Sequence, residues 1–154
     1  MDKENVNIGI IGLGFMAVMH IRAYRQVKGA NIAAICNPSG NRLNGDFSDV
    51  FGNLDSGDPV KLDMSQVKAF QSFQELLNDK SIDVIDICSP THTHVQLAKA
   101  ALASGKHVIC EKPLARTLED AIEIVSAAKN AKGKFMTAMC LRFWPQWSWL
   151  KKAV

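Results

Sequence analysis

The chain has 154 residues, 47% of them apolar and 21% charged, with a net charge of +3. That is an ordinary globular composition, and the length suits one domain with a sizeable core. The basic residues are scattered rather than gathered in a stripe, which argues against nucleic acid as a partner. No apolar run approaches the roughly 20 residues of a membrane helix, and the acid-containing start Met1-Asp2-Lys3-Glu4 does not read as a signal peptide. The expected location is cytoplasmic.

The first element expected is a strand over Val6 to Ile11, rich in β-branched residues. It runs into Gly12-Leu13-Gly14-Phe15-Met16-Ala17, which has the form G-x-G-x-x-A. Behind it, a helix is expected from about Phe15 to Val27. A strand, a glycine loop and a helix in this order form the dinucleotide-binding fingerprint. Gly12 permits the tight turn, Gly14 lets backbone approach a pyrophosphate, and Ala17 allows close helix packing. The helix start, with Phe15 and Met16 in it, offers unpaired N–H groups and partial positive charge.

A second strand is expected over Asn31 to Cys36. Where a ribose-binding acid commonly ends this strand, the sequence has Asn37. Asn still bonds a ribose hydroxyl but brings no charge to repel a 2′-phosphate, which Ser39 and Arg42 are able to hold. This leans toward NADP and leaves NAD open; Arg42 solvated in a loop is the plain alternative. From Asn37 to Asp63 the chain is rich in glycine and polar residues and reads as a long loop.

Further on, the pattern gives a weak strand at Val67 to Phe70 and a helix from Ser72, where Ser72-Phe73-Gln74-Glu75 has capping-box form. Strands follow at Val84 to Cys88, His107 to Cys110 and Phe135 to Ala138. Between them lie a helix over His94 to Ala103, with Thr93 as N-cap and Gly105 as terminator, and a helix over Leu118 to Asn130 behind Thr117. Ala121, Ile122, Val125 and Ala128 are expected to form the second helix's buried stripe. The strands are continuously apolar, as in strands covered on both faces. The fold class is α/β: a doubly wound, mostly parallel Rossmann sheet with helices on both faces.

The four cysteines, Cys36, Cys88, Cys110 and Cys140, form no C-x-x-C pair and read as buried thiols near strand ends. His92 and His94 are spaced poorly for a metal, and both are expected to be exposed. His20 and His107 read as structural. No metal is expected.

Three segments resemble the Gfo/Idh/MocA oxidoreductases: Ser89-Pro90-Thr91-His92-Thr93-His94, Ala101-Leu102-Ala103-Ser104-Gly105-Lys106-His107-Val108, and Glu111-Lys112-Pro113-Leu114-Ala115. The likeness extends to Arg142-Phe143-Trp144-Pro145. It implies an NAD- or NADP-dependent dehydrogenase acting on a sugar, inositol or related polyol, with Lys112 beside the nicotinamide as the catalytic residue. It also implies a cis Lys112–Pro113 bond. The cofactor-binding set it implies adds Ser89, Pro90, Thr91, His94, Glu111, Lys112, Pro113 and Arg142 to the glycine loop.

Members of that family carry a second, substrate-binding domain, which this sequence lacks. The expected division is therefore a nucleotide-binding domain over 1–143 and the start of a linker helix over 144–154. A polyol substrate is then expected only if a second domain is supplied, with little turnover from these residues alone. The alternatives are a non-catalytic NAD(P)-binding module and a partner-dependent domain. Trp144, Trp147 and Trp149, the chain's three tryptophans, fall in the last 11 residues. They point to an apolar patch and to self-association.

Overall fold

The computed structural model describes residues 5–52 and 58–154. Six parallel strands form one sheet: β1 (Val6–Ile11), β2 (Ala30–Cys36), β3 (Lys68–Phe70), β4 (Val84–Ile87), β5 (His107–Glu111) and β6 (Phe135–Ala138). Their spatial order is β3-β2-β1-β4-β5-β6. The order reverses between β1 and β4, and open α/β sheets bind ligands at such a switch, beyond the strands' carboxyl ends.

Five helices accompany the sheet: α1 (Phe15–Tyr24), α2 (Phe73–Asn78), α3 (His94–Ala103), α4 (Leu118–Asn130) and α5 (Pro145–Ala153). Alternation along each strand sorts the core into two layers. Ile8, Ile10 and Ile35 pack with Ala17, Val18 and Ile21 of α1. Ile11, Ile85, Ile87, Val108 and Cys110 pack with Leu76 and Leu77 of α2, Ala98, Ala101 and Leu102 of α3, and Ile124 of α4. The expected Rossmann architecture is present.

The long connection from β2 to β3 stands where a helix would cover the sheet. It is nevertheless anchored: Phe47, Val60 and Val67 are buried in the α1 layer, and Asp46 and Lys61 bridge. These three buried apolar side chains therefore do the covering that a regular helix does elsewhere. Residues 53–57 of the expected loop, Gly57 among them, lie outside the described residues, as does the start at 1–4.

Several local expectations need correction. Helix α1 stops at Tyr24 and leaves through turns, short of Val27. Thr93 does not cap α3 with its side chain; it ends a 3-10 turn, Thr91–Thr93, and its hydroxyl donates to the Pro90 carbonyl at 2.8 Å. On α4 the buried side chain is Ile124, while Ile122 and Val125 are exposed. Ala128 of the expected stripe does pack against the core, beside Ala127 and Ala131, so the inward side is centred on Ile124 rather than on Ile122 and Val125. Cys140 is exposed, unlike Cys36 and Cys110.

The remaining cap readings hold. Ser72 and Thr117 accept the amides of Glu75 and Asp120. Gly105 has φ +81, with Gly105 N–H on the Leu102 carbonyl and Lys106 N–H on the Ala101 carbonyl, the paired bonds of a Schellman ending.

Candidate functional site: a cleft at the sheet's carboxyl edge

The parallel ladder brings the ends of β1, β2, β4 and β5 level. Ile11 pairs with Cys36 on one side and Ile87 on the other, and Ile87 pairs with Cys110. The residues that follow these strands therefore meet along one edge: the glycine loop, Asn37, Ser89 and the Glu111–Lys112 turn.

Gly12 adopts φ +83, and a Cβ there would lie 2.6 Å from the Ser89 backbone. Its missing side chain thus lets the loop after β1 abut the turn after β4, beyond the tight turn expected of it. Gly14 differs. A Cβ on Gly14 meets nothing within 4 Å, so the backbone faces open space. Gly14 is also the N-cap of α1, no side chain caps the helix, and no acidic residue sits in its first turn. The first amides of Phe15, Met16 and Ala17 lack intrahelical acceptors by helix geometry. An uncapped helix start with a bare approach fits a pyrophosphate. Ala17 is fully buried against the sheet, the close packing its size permits.

At the β2 end, Asn37 is bound up in its own loop. Its amide donates to the Asn41 carbonyl at 2.9 Å and its carbonyl oxygen accepts from the Ser39 hydroxyl at 3.1 Å. Arg42, with φ +61, reaches back to the glycine loop and donates to the Leu13 carbonyl at 3.1 Å. The same guanidinium grips both oxygens of Asp49, at 2.8 and 2.7 Å. Asp49 had no place in the sequence reading. That pair holds the Asp49 carboxyl below its ordinary value, chiefly through the hydrogen bond.

At the β4 and β5 ends, His94 is a correction: it is buried, not exposed. Its Nε2 lies 2.9 Å from the Ser89 carbonyl, and its Nδ1 lies 3.1 Å from the Pro113 carbonyl. The imidazole is a strut between the turn after β4 and the turn after β5. His92 is exposed as expected. Ser89 and Thr93 hydroxyls meet at 2.6 Å, tightening the turn that carries Pro90 and Thr91.

The Lys112–Pro113 bond is cis, as the resemblance implies. Lys112, Pro113 and Arg142 share the lining of a cleft of about 300 Å³ with Met139, Cys140 and Leu141. The geometry therefore brings Lys112 and Arg142 together.

Beneath this edge lies a cluster that sequence reasoning missed. His20 of α1 stands between two carboxylates: its Nδ1 is 2.7 Å from Asp86 and its Nε2 3.0 Å from Glu111. The Tyr24 hydroxyl donates to Asp86 at 2.8 Å. Burial pushes the His20 pKa down, but hydrogen bonds and charge from Asp86 and Glu111 outweigh it and hold the pKa above 6.5. Burial, then the same carboxylates, pushes the Cys88 thiol well up. Among the described residues, His20, Asp86 and Cys88 also come close enough to hold a metal ion. The His20 Nδ1 that would bind it is already committed to Asp86.

Tail residues Phe143, Trp144, Trp147, Trp149 and Leu150 are all substantially exposed. Helix α5 buries none of its side chains. Among the described residues no helix is long and apolar enough to cross a membrane.

The fold and the uncapped glycine loop together define a nucleotide-binding α/β domain. Residues 6–139 match the family described as oxidoreductase family, NAD-binding Rossmann fold, GFO_IDH_MocA, and the chain belongs to that family. It is 30% identical over 149 residues to a myo-inositol 2-dehydrogenase of Thermotoga maritima, covering 97% of this chain and 40% of that protein. To a levoglucosan dehydrogenase of Pseudarthrobacter phenanthrenivorans it is 31% identical, covering 98% of this chain and 37% of the relative. The solved scyllo-inositol dehydrogenase of Lactobacillus casei, with bound NAD(H) and scyllo-inositol, superposes with a TM-score of 0.75 at 25% identity, covering 96% of this chain and 40% of that one. The chain thus spans about 40% of the length of such relatives.

Proposed function

We propose that this chain is the nucleotide-binding part of an NAD(P)-dependent dehydrogenase that acts on a secondary alcohol of an inositol, sugar or related polyol. The observation that carries the reading is a juxtaposition. The open approach at Gly14 and the Lys112–Pro113 turn lie at one edge, on either side of the point where strand order reverses. The relatives' activities on inositols and levoglucosan support the substrate class.

The division of labour follows from the chemistry of the residues. Bound NAD(P) supplies the hydride donor or acceptor. The first amides of α1 hold its pyrophosphate, Asn37, Ser39 and Arg42 lie toward the adenosine ribose, and Ser89, Pro90 and Thr91 line the cleft floor. Lys112, an exposed ammonium at the cleft wall, orients the substrate hydroxyl and assists its proton transfer. Glu111, Pro113 and His94 hold that turn, and Arg142 faces it across the cleft. The rest of the catalytic group comes from residues outside this chain. In this reading residues 1–143 form the binding domain and 144–154 begin a linker helix.

Calorimetric titration with NAD+ and NADP+ tests the reading. Saturable 1:1 binding is expected, with little or no polyol turnover. No binding of either dinucleotide overturns it. The exposed tryptophans favour an additional trait: this chain self-associates through its tail, and a monodisperse monomer in light scattering refutes that.

A further inference from the structure

Of the His20 cluster only Glu111 has a task in the function just proposed; His20, Asp86 and Tyr24 have none, yet the cluster is built with care. Asp86 is wholly buried and Glu111 nearly so. Burying a carboxylate is costly unless it is paired and hydrogen-bonded. Both ring nitrogens of His20 face carboxylate oxygens, at 2.7 and 3.0 Å. An ionised carboxylate only accepts, and a neutral imidazole donates once, so two short bonds call for a ring that donates twice. The second oxygen of Glu111 accepts the Lys112 backbone N–H at 2.9 Å. A continuous path thus runs from Asp86 through His20 and Glu111 to the main chain of Lys112.

We propose that His20 is a positioning residue for the Lys112–Pro113 turn: as an imidazolium clamped between Asp86 and Glu111, it fixes the carboxylate that holds the Lys112 backbone amide. The proposal rests on the reading that Lys112 works at the cofactor cleft. The groups facing His20 are Tyr24 on α1, Asp86 and Cys88 on and after β4, and Glu111 on β5, with Cys110 on the opposite face of the sheet. Burial and the neighbouring carboxylates keep Tyr24 and both thiols protonated and neutral, so Asp86 and Glu111 are the charged groups that the ring lies between. Tyr24 adds a second donor to Asp86, which keeps that carboxylate in place for the ring.

The test is nitrogen-15 NMR on the full 154-residue chain. Both His20 ring nitrogens are expected to be predominantly protonated at about pH 6.5, where an ordinary histidine is half-titrated. In His20→Gln the Lys112 amide resonance should move upfield as its charge-assisted bond loosens. Asp86→Asn touches neither Glu111 nor Lys112 and should produce the same movement through His20, which keeps the test open if His20→Gln does not fold. Asp86→Asn should also return the His20 titration toward the ordinary histidine value. A ring with one nitrogen predominantly unprotonated at about pH 6.5 overturns the proposal. So does a Lys112 amide that stays in place in a folded variant. These readings need no cofactor, whereas failure of the unaltered chain to bind either NAD+ or NADP+ sinks the functional reading instead.

Discussion

Gly14→Val separates folding from binding at one position. Gly14 has φ −97 and ψ −162, extended backbone that any residue adopts. Its would-be Cβ touches nothing, so the isopropyl group enters solvent. The remaining penalty is that of a poor N-cap residue, about 0.5–1 kcal/mol, or some 1–4 °C in melting midpoint. Binding is another matter. The same space is where a pyrophosphate must approach to reach the amides of Phe15 and Met16. Losing two charge-assisted hydrogen bonds at about 1.5–3 kcal/mol each removes about 3–6 kcal/mol. That is on the order of a hundred- to ten-thousand-fold in Kd. Calorimetry with NAD+ gives the affinity, and scanning fluorimetry without cofactor gives the midpoint. An unchanged affinity in a folded Gly14→Val chain refutes the placement of the phosphate site.

Three further outcomes follow from the same structure. Phe47→Ala should lower unfolding free energy by about 3–5 kcal/mol in urea titration, because the ring is the largest fully buried side chain and anchors the long loop; a loss below about 1 kcal/mol would mean that the loop is dispensable to the core. Asp49→Asn frees Arg42 from its bidentate partner and removes a charge that repels a 2′-phosphate; the NADP+ to NAD+ affinity ratio should rise about tenfold, roughly 1.4 kcal/mol, and an unchanged ratio rejects Arg42 as the discriminating residue. His20 has a folded pKa above its ordinary 6.5, so its stabilisation is full below that value and is lost as pH rises through the folded pKa. The urea midpoint should fall over that window in the unaltered chain and not in His20→Gln; matching profiles contradict it.

The sheet was readable because its signals are local. Val6–Ile11 is a β-branched run that ends at Gly12, Phe135–Ala138 is an apolar run that starts just after Gly133-Lys134, and the bounds of both match the structure. The glycine loop was readable because backbone access demands the absence of side chains at fixed spacing. What escaped depends on contacts between distant segments. His94 has the same local sequence whether it points to solvent or to the Pro113 carbonyl, and only the packing of two turns decides. Ile122 and Val125 look like core residues by type, yet α4 rolls so that Ile124 meets the sheet. Arg42 is a plausible phosphate ligand by its place in the loop, but its pairing with Asp49 depends on a loop that bends back on itself.

One signal for the His20 cluster was in the sequence. Val84-Ile85-Asp86-Ile87 places an acid inside a strand that is otherwise apolar and expected to be covered on both faces. A buried carboxylate needs a donor, so Asp86 announced an unseen partner. Alternation puts Asp86 on the opposite face from Ile85 and Ile87, which pack with α2, α3 and α4, and therefore toward α1. On that helix His20 stands three residues beyond Ala17, whose burial fixes the inward side, and Tyr24 follows four residues later on the same side. Glu111, two residues beyond Ile109, the partner of Asp86, and so on the same face of β5, completes the group. Strand alternation and helix spacing together place the acid against its histidine. The sequence motif that marks the cleft, Glu111-Lys112-Pro113, is then tied by its first residue to the helix whose first turn faces the phosphate loop. If His20 positions the turn as proposed, a displacement of α1 is expected to shift the Lys112 amide resonance, the same readout that the His20 and Asp86 variants use.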